Sequence, residues 1–156
     1  MRHLVLLAGA LLSFSALADS AIIEPVKKWT LLDQNDKAYT LDDDAQVLLV
    51  ARSMAAAKLV NAAIEDEPAG YLESRRVIYV ADIEKMPSVI KLVAVPAMRS
   101  AKYRILLDRD GRVASAYKGD RESVQWLALQ GGAVVQEQRY TDSQALKEAI
   151  AQRSQR

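Results

Sequence analysis

The chain has no cysteine, a single histidine (His3) and a single phenylalanine (Phe14) among 156 residues. Without a thiol there is no nucleophile for disulfide exchange or peroxide reduction. Without a histidine beyond His3 there is no neutral-pH general base for a Ser-His-Asp triad, no partner for a Cys-His dyad and no imidazole set for zinc or copper. Glycine and proline are sparse, at six and four, and no G-x-G-x-x-G or phosphate-cradling loop occurs, so no dinucleotide, flavin or nucleotide site is expected. Long hydrophobic runs are also lacking. The clearest, Leu4–Leu12, is well short of the roughly 18 residues needed to span a bilayer.

That short run has a different reading. Met1-Arg2-His3 supplies a positive start, Leu4–Leu12 an apolar centre, and Ala16-Leu17-Ala18 a small-x-small cleavage site. Residues 1–18 are therefore expected to be a signal peptide, cut after Ala18, with export to the periplasm or beyond. His3 and Phe14 would leave with it, together with Arg2 and no acid, so that 20 basic residues balance 20 acidic ones. A neutral domain is a poor binder of nucleic acid and lacks the polybasic character that holds proteins to anionic lipid. No membrane insertion of the processed chain is expected. Residues 19–152 are expected to form one domain, with 153–156 as a frayed tail.

Trp29–Leu32 and Lys37–Leu41 flank the polar turn Asp33–Asp36, which predicts a hairpin. Asp42-Asp43-Asp44 reads as a solvated turn rather than a metal cluster. Gln46–Ala51 and Arg76–Ala81 are continuous apolar runs, as in central strands buried on both faces. Ser53 is placed to cap a helix from Met54 to about Glu65. A second helix is expected from Pro87, with Val89, Ile90, Val93 and Ala94 as its core face and Pro96 as its end. Tyr103–Leu107 reads as a third strand, Asp108–Gly111 as a turn, and Val113–Tyr117 as a short helix or strand. Val124–Leu129 and Ala133–Tyr140 form a hairpin about Gly131-Gly132, with Val124, Trp126 and Ala128 on its core face. Thr141 or Asp142 then caps a last helix, Thr141-x-x-Gln144 fitting a capping box.

Strands alternating with helices predict an α/β domain with a mixed, mainly parallel sheet, helices on both faces and an N-terminal β-hairpin. Three segments carry a resemblance: QVLLVA with its following helix, Tyr103–Tyr117 with its Asp-x-Asp-Gly turn, and the closing hairpin from Ser123 to Val135. In this order they resemble the thioredoxin-like fold, in its exported, peroxiredoxin-like branch, and are similar to small periplasmic proteins of the YtfJ type. The resemblance covers residues 19–152. It implies a Cys-x-x-Cys pair at the start of the helix after QVLLVA, where this chain reads Ala51-Arg52-Ser53-Met54-Ala55-Ala56-Ala57. It also implies a cis-proline before the closing hairpin, where this chain has Ser123. The scaffold is retained and the redox residues are not.

Three weaker patterns have plainer readings. Ser88-x-x-Lys91 matches a serine acyltransferase dyad, but its companion motifs are missing, and a first-turn serine is the plainer reading. Asp108-x-Asp110-Gly111 resembles a calcium loop with its glycine at the wrong place. Met54, Met86 and Met98 are soft-metal donors in type, but scattered, so core packing is expected. No catalytic residue, cofactor or metal is therefore assigned. The expected function is a redox-inactive module binding a periplasmic protein or peptide through Arg52, Ser53, Met54, Ser123 and Val124. Arg52 would grip a carboxylate and Met54 would offer an adaptable contact. The alternatives are an oxidoreductase-associated protein or enzyme with a bound cofactor, and a domain without a specific ligand.

Overall fold

The computed structural model of the chain describes residues 28–154. The expected signal peptide and its cleavage site lie outside the described residues. Seven strands form one sheet in the order β2-β1-β5-β4-β3-β6-β7. They are β1 (Thr30–Asp33), β2 (Ala38–Thr40), β3 (Val47–Ala51), β4 (Val77–Asp82), β5 (Leu106–Asp108), β6 (Val124–Gln130) and β7 (Ala133–Tyr140). The helices are α1 (Met54–Ile64), α2 (Tyr71–Ser74), α3 (Ser88–Met98) and α4 (Ser143–Ala151), with a 3-10 turn at Ala114–Ala116.

The sheet is mixed, as expected, but its parallel part is confined to the centre. Only β3 with β4 and β4 with β5 run parallel. The N-terminal hairpin joins β5 antiparallel, and the closing hairpin joins β3 antiparallel. The two apolar runs behave as buried strands. Val47, Leu49 and Ala51 point to one face and Leu48 and Val50 to the other. In β4, Val77, Tyr79 and Ala81 alternate in the same way with Ile78 and Val80. A period of two with no polar member requires cover on both sides.

That cover is unequal. The buried residues of all four α-helices join one core, among them Ala56, Val60, Leu72, Val95, Leu146 and Ile150. The opposite face is closed by Trp29, Leu41, Ala45 and the 3-10 turn with Val113 and Ala114. Among the described residues its helical cover is therefore a single short turn. Trp126 and Val124 face the helices, as the alternation predicts, while Leu127 and Leu129 fill the other face. Gly131 and Gly132 take φ of +57° and +81° in the tight turn between β6 and β7, a conformation that costs glycine little.

Local chemistry decides the boundaries. Asp42 Oδ1 accepts from the amides of Asp44 and Ala45 at 2.9 and 3.0 Å, so the aspartate run is a turn. Asp142, rather than Thr141, caps α4 by accepting from Gln144 N. The third strand begins later than expected, at Leu106. The short helix α2, unanticipated, follows the break at Pro68–Gly70. Arg153 is held, its amide bonding Ile150 O at 3.0 Å and its guanidinium donating to Gln46.

Helix α3 departs most from expectation. It continues through Pro96 to Met98. Its supposed core residues Val89, Ile90 and Val93 are exposed, and Val95 is the residue of the helix that is buried. Ala94 stays on the inner side, but the buried face is turned by about a third of a revolution from the amphipathic reading, because apolar residues lie on both sides of the helix and periodicity could not choose between them.

Candidate functional site

The ends of β3 and β4 deliver Arg52 and Ile83 to one end of the sheet, where open α/β sheets hold ligands. Ser53, with extended backbone, caps α1 by accepting from Ala56 N at 3.1 Å. Its hydroxyl donates in turn to the carbonyl of Arg121. The head of α1 is thereby stitched to the loop before β6.

Arg52 is not presented to solvent. Its Nη2 donates to the carbonyls of Ala114, at 3.0 Å, and Tyr117. Burial draws its pKa below the usual arginine value, though far too little to discharge a guanidinium. Gly119 closes over it, and a Cβ there would lie 2.1 Å from Nη1 and 2.9 Å from Gln125 Oε1. Gln125 is also buried and donates to Lys118 O at 2.8 Å. Arg52, expected to grip a carboxylate, has its Nη2 occupied by two backbone carbonyls, while its buried Nη1 has no protein partner.

The same loop holds the other expected residues. Ser123 is buried and bonds Asp120 Oδ1 through both its amide and its hydroxyl, each at 2.8 Å. Arg139 of β7 bridges Asp120 and Glu137. These bonds, led by the Ser123 hydroxyl, hold the Asp120 carboxyl well below the ordinary range. No cis peptide occurs among the described residues, so Ser123 enters β6 through a trans bond. Val124 is fully buried and offers no surface to a partner. Beneath the loop, Asp108 Oδ2 accepts from the amides of Val113 and Ala114, at 3.0 and 2.7 Å. Burial raises its pKa, opposed by the Ala114 amide. The Asp-x-Asp-Gly segment thus anchors the 3-10 turn. Among the described residues no group of three or more His, Cys, Asp or Glu could hold a metal.

Of the expected residues, Met54 alone stands out toward solvent, 49% exposed. It opens on a cavity of about 340 Å³ bounded by the heads of α1 and α3, with Ala57, Met86, Ile90 and Met98 on its apolar wall. Asp82, Lys85 and Arg121 supply charge at the rim. Met54 and Met98 also line a second hollow of about 440 Å³, which runs between α1 and α3 to Glu65 and Tyr103. The shared methionines show that the two hollows adjoin, together forming the groove between α1 and α3. All three methionines beyond Met1 border it. They do not form a single soft-metal site, because Met86 precedes and Met98 ends an 11-residue helix about 16 Å long. Ala57, Ile90 and Met98 were not foreseen as site residues. Their only sequence signal was methionine itself, a side chain suited to adaptable contacts.

No family model matches the sequence, and no curated protein matches it. Solved structures do. The peroxidoxin BcpB of Mycobacterium tuberculosis superposes with a TM-score of 0.53 at 16% identity, over 82% of this chain and 92% of its own. The exposed lipoprotein thioredoxin Etrx1 of Streptococcus pneumoniae gives 0.53 at 13%, over 80% and 98%. StoA of Bacillus subtilis gives 0.54 at 11%, over 81% and 97%. The chain has a thioredoxin-like fold. At these identities the likeness concerns the fold, and activity has to be argued from the site.

Proposed function

We propose that this protein is an exported, redox-inactive thioredoxin-like module that binds an extended apolar segment of a partner protein in the groove between α1 and α3. The observation that carries this reading is the groove itself. It starts at the carboxyl end of the central strands, runs along α1 to Glu65 and Tyr103, and has an apolar wall edged by three methionines. Unbranched thioethers repack around different side chains, which suits peptides of varied sequence. The rim cations Lys85 and Arg121 favour a segment ending in, or interrupted by, a carboxylate. Redox inactivity follows from chemistry: a chain without cysteine has no thiolate to exchange. Export rests on the leader at residues 1–18. Among the described residues no helix is long and apolar enough to cross a membrane.

The test is photo-crosslinking in the native host. A photoreactive residue replaces Met54, whose exposed side chain tolerates exchange. A discrete adduct is expected, and Ala57→Phe should remove it by filling the groove from the α1 side. The same residue placed at Lys147, on α4, should give none. An adduct that survives Ala57→Phe, or no adduct at position 54, would place the interface elsewhere.

A further inference from the structure

The sheet has two edges, and they are unlike. β2 is three residues long, too short to template a further strand. β7 runs eight residues, Ala133–Tyr140, with β6 as its neighbour on one side. Its residues from 134 to 139 are exposed, so neither face of the strand is covered. Edge strands of this length are ordinarily blunted by proline, lysine or a bulge. β7 has neither proline nor lysine, and its register shift lies at the turn end, opposite Ala128 and Leu129.

The hydrogen-bond phase of this edge follows from the strands inside it. Leu129 donates to Gln46 O at 2.8 Å, so Leu129, Leu127 and Gln125 turn their backbone groups toward β3. Val124, Trp126 and Ala128 turn theirs toward β7, because the direction alternates along an antiparallel strand. Opposite them stand Tyr140, Gln138 and Gln136. The amides and carbonyls of Glu137 and Arg139 therefore face away from the sheet.

These outward groups can meet those of a second copy in few antiparallel registers. One sets Glu137 against Glu137 and another sets Arg139 against Arg139, and like charges directly opposite are destabilising. A third sets Glu137 of each copy against Arg139 of the other, Gln136 against Tyr140, and Gln138 on the two-fold axis. We propose that β7 pairs with β7 of a second copy in this third register, making one sheet continuous across an isologous dimer. Exchange between the Glu137 and Arg139 backbones gives about four hydrogen bonds across the axis. The charges select the register and not the strength, since Arg139 Nη2 already lies 2.8 Å from Glu137 Oε1 within each chain. A foreign peptide on this edge would need pockets for its alternate side chains, and the bare faces of β7 offer none. The groove has no β7 residue on its walls, so the pairing stands independently of the groove reading.

The test exploits the missing cysteine. Gln138→Cys sets one thiol on the axis, where facing Cα atoms of a non-hydrogen-bonded pair lie about 4.5 Å apart, within the span of a disulfide. Gln136→Cys, on the same face, would lie opposite Tyr140 and out of reach of its own copy. Under mild oxidation of the protein as recovered from its host, position 138 should crosslink at least tenfold faster than position 136. Sedimentation of the unmodified protein should show a dimer that grows with concentration. Glu137→Pro removes an outward N–H without touching the ladder to β6, and should abolish the dimer while keeping the circular dichroism spectrum. Equal crosslinking at 136 and 138 overturns the proposal. So does a wild-type protein that stays monomeric at every concentration, or a dimer that survives Glu137→Pro. Should the proline variant fail to fold, the cysteine pair decides alone, because both positions are exposed. Crosslinking at Met54 reports on the groove separately.

Discussion

Arg52 and Leu92 occupy each other's customary surroundings. The arginine is 8% exposed, bonded to carbonyls beneath a glycine, whereas the leucine is 77% exposed on a helix with no protein over it. The two regions are close, since Arg52 and the inner side of α3 border one cavity. In the first, most polar groups are paired within the chain: Ser53, Asp120, Ser123 and Arg139 each have partners inside the molecule, whereas Arg52 Nη1 and Gln125 Oε1 do not. In the second, apolar surface is left over. Burial of a charge is tolerated where backbone oxygens satisfy it, and exposure of apolar surface persists where something else covers it. The thioredoxin-like corner is a structural lock, and the proposed means of interaction lie at its side.

Substitutions that separate lock from surface should differ sharply in cost. The largest effect is expected for Arg52→Glu, which sets a buried carboxylate against the carbonyls of Ala114 and Tyr117. Unfolding by urea should show a loss of about 3–5 kcal/mol, far from the near-silent change expected of a solvated arginine. Gly119→Ala comes next. Its Cβ meets the Arg52 guanidinium at 2.1 Å, and such overpacking costs about 1–3 kcal/mol. In a double-mutant cycle, that cost should shrink once Arg52 is replaced by Ala. Ser53→Ala removes the α1 cap and should cost about 1 kcal/mol in the same unfolding assay.

The lock should also respond to acid. The folded-state pKa of Asp120 lies below its unfolded value. Its contribution is then complete above about pH 4 and lost as pH falls through the folded value. Protection of the Glu122 and Ser123 amides from hydrogen exchange, relative to free amides at the same pH, should fall on acidification, since both are bonded to Asp120, and Asp120→Asn should flatten that response. Asp108 acts oppositely. Its raised pKa means that the folded state favours the neutral carboxyl, a contribution lost as pH rises through the folded value. The smallest effect is expected on the open surface. Leu92→Asp should change stability by less than about 0.5 kcal/mol, and a larger loss would show that α3 packs more deeply than its exposure indicates.

Much of the scaffold was legible. The runs Gln46–Ala51 and Arg76–Ala81 announced central strands because no charged residue interrupts them after their first position. Gly131-Gly132 announced a hairpin because few residues other than glycine take positive φ twice in succession. Ser53 announced a cap through its hydroxyl. The site was less legible, for two reasons. The orientation of a long cationic side chain depends on which carbonyls lie in reach, and those of residues 114 and 117 are more than 60 positions from Arg52. The inner and outer faces of α3 carry the same kind of residue, so a moment computed from hydropathy has no direction to prefer.

The sequence by itself determined the absence of thiol chemistry, because reactivity of that kind resides in an atom that is present or not. It also determined the strand-helix order, through periodicity and turn residues that act locally. Tertiary structure alone decided that Arg52 is buried against backbone carbonyls, that three scattered methionines border the space between α1 and α3, and that α3 turns valine and leucine outward. Those outcomes depend on contacts between segments distant in the chain, and local propensity carries no information about which distant groups will meet.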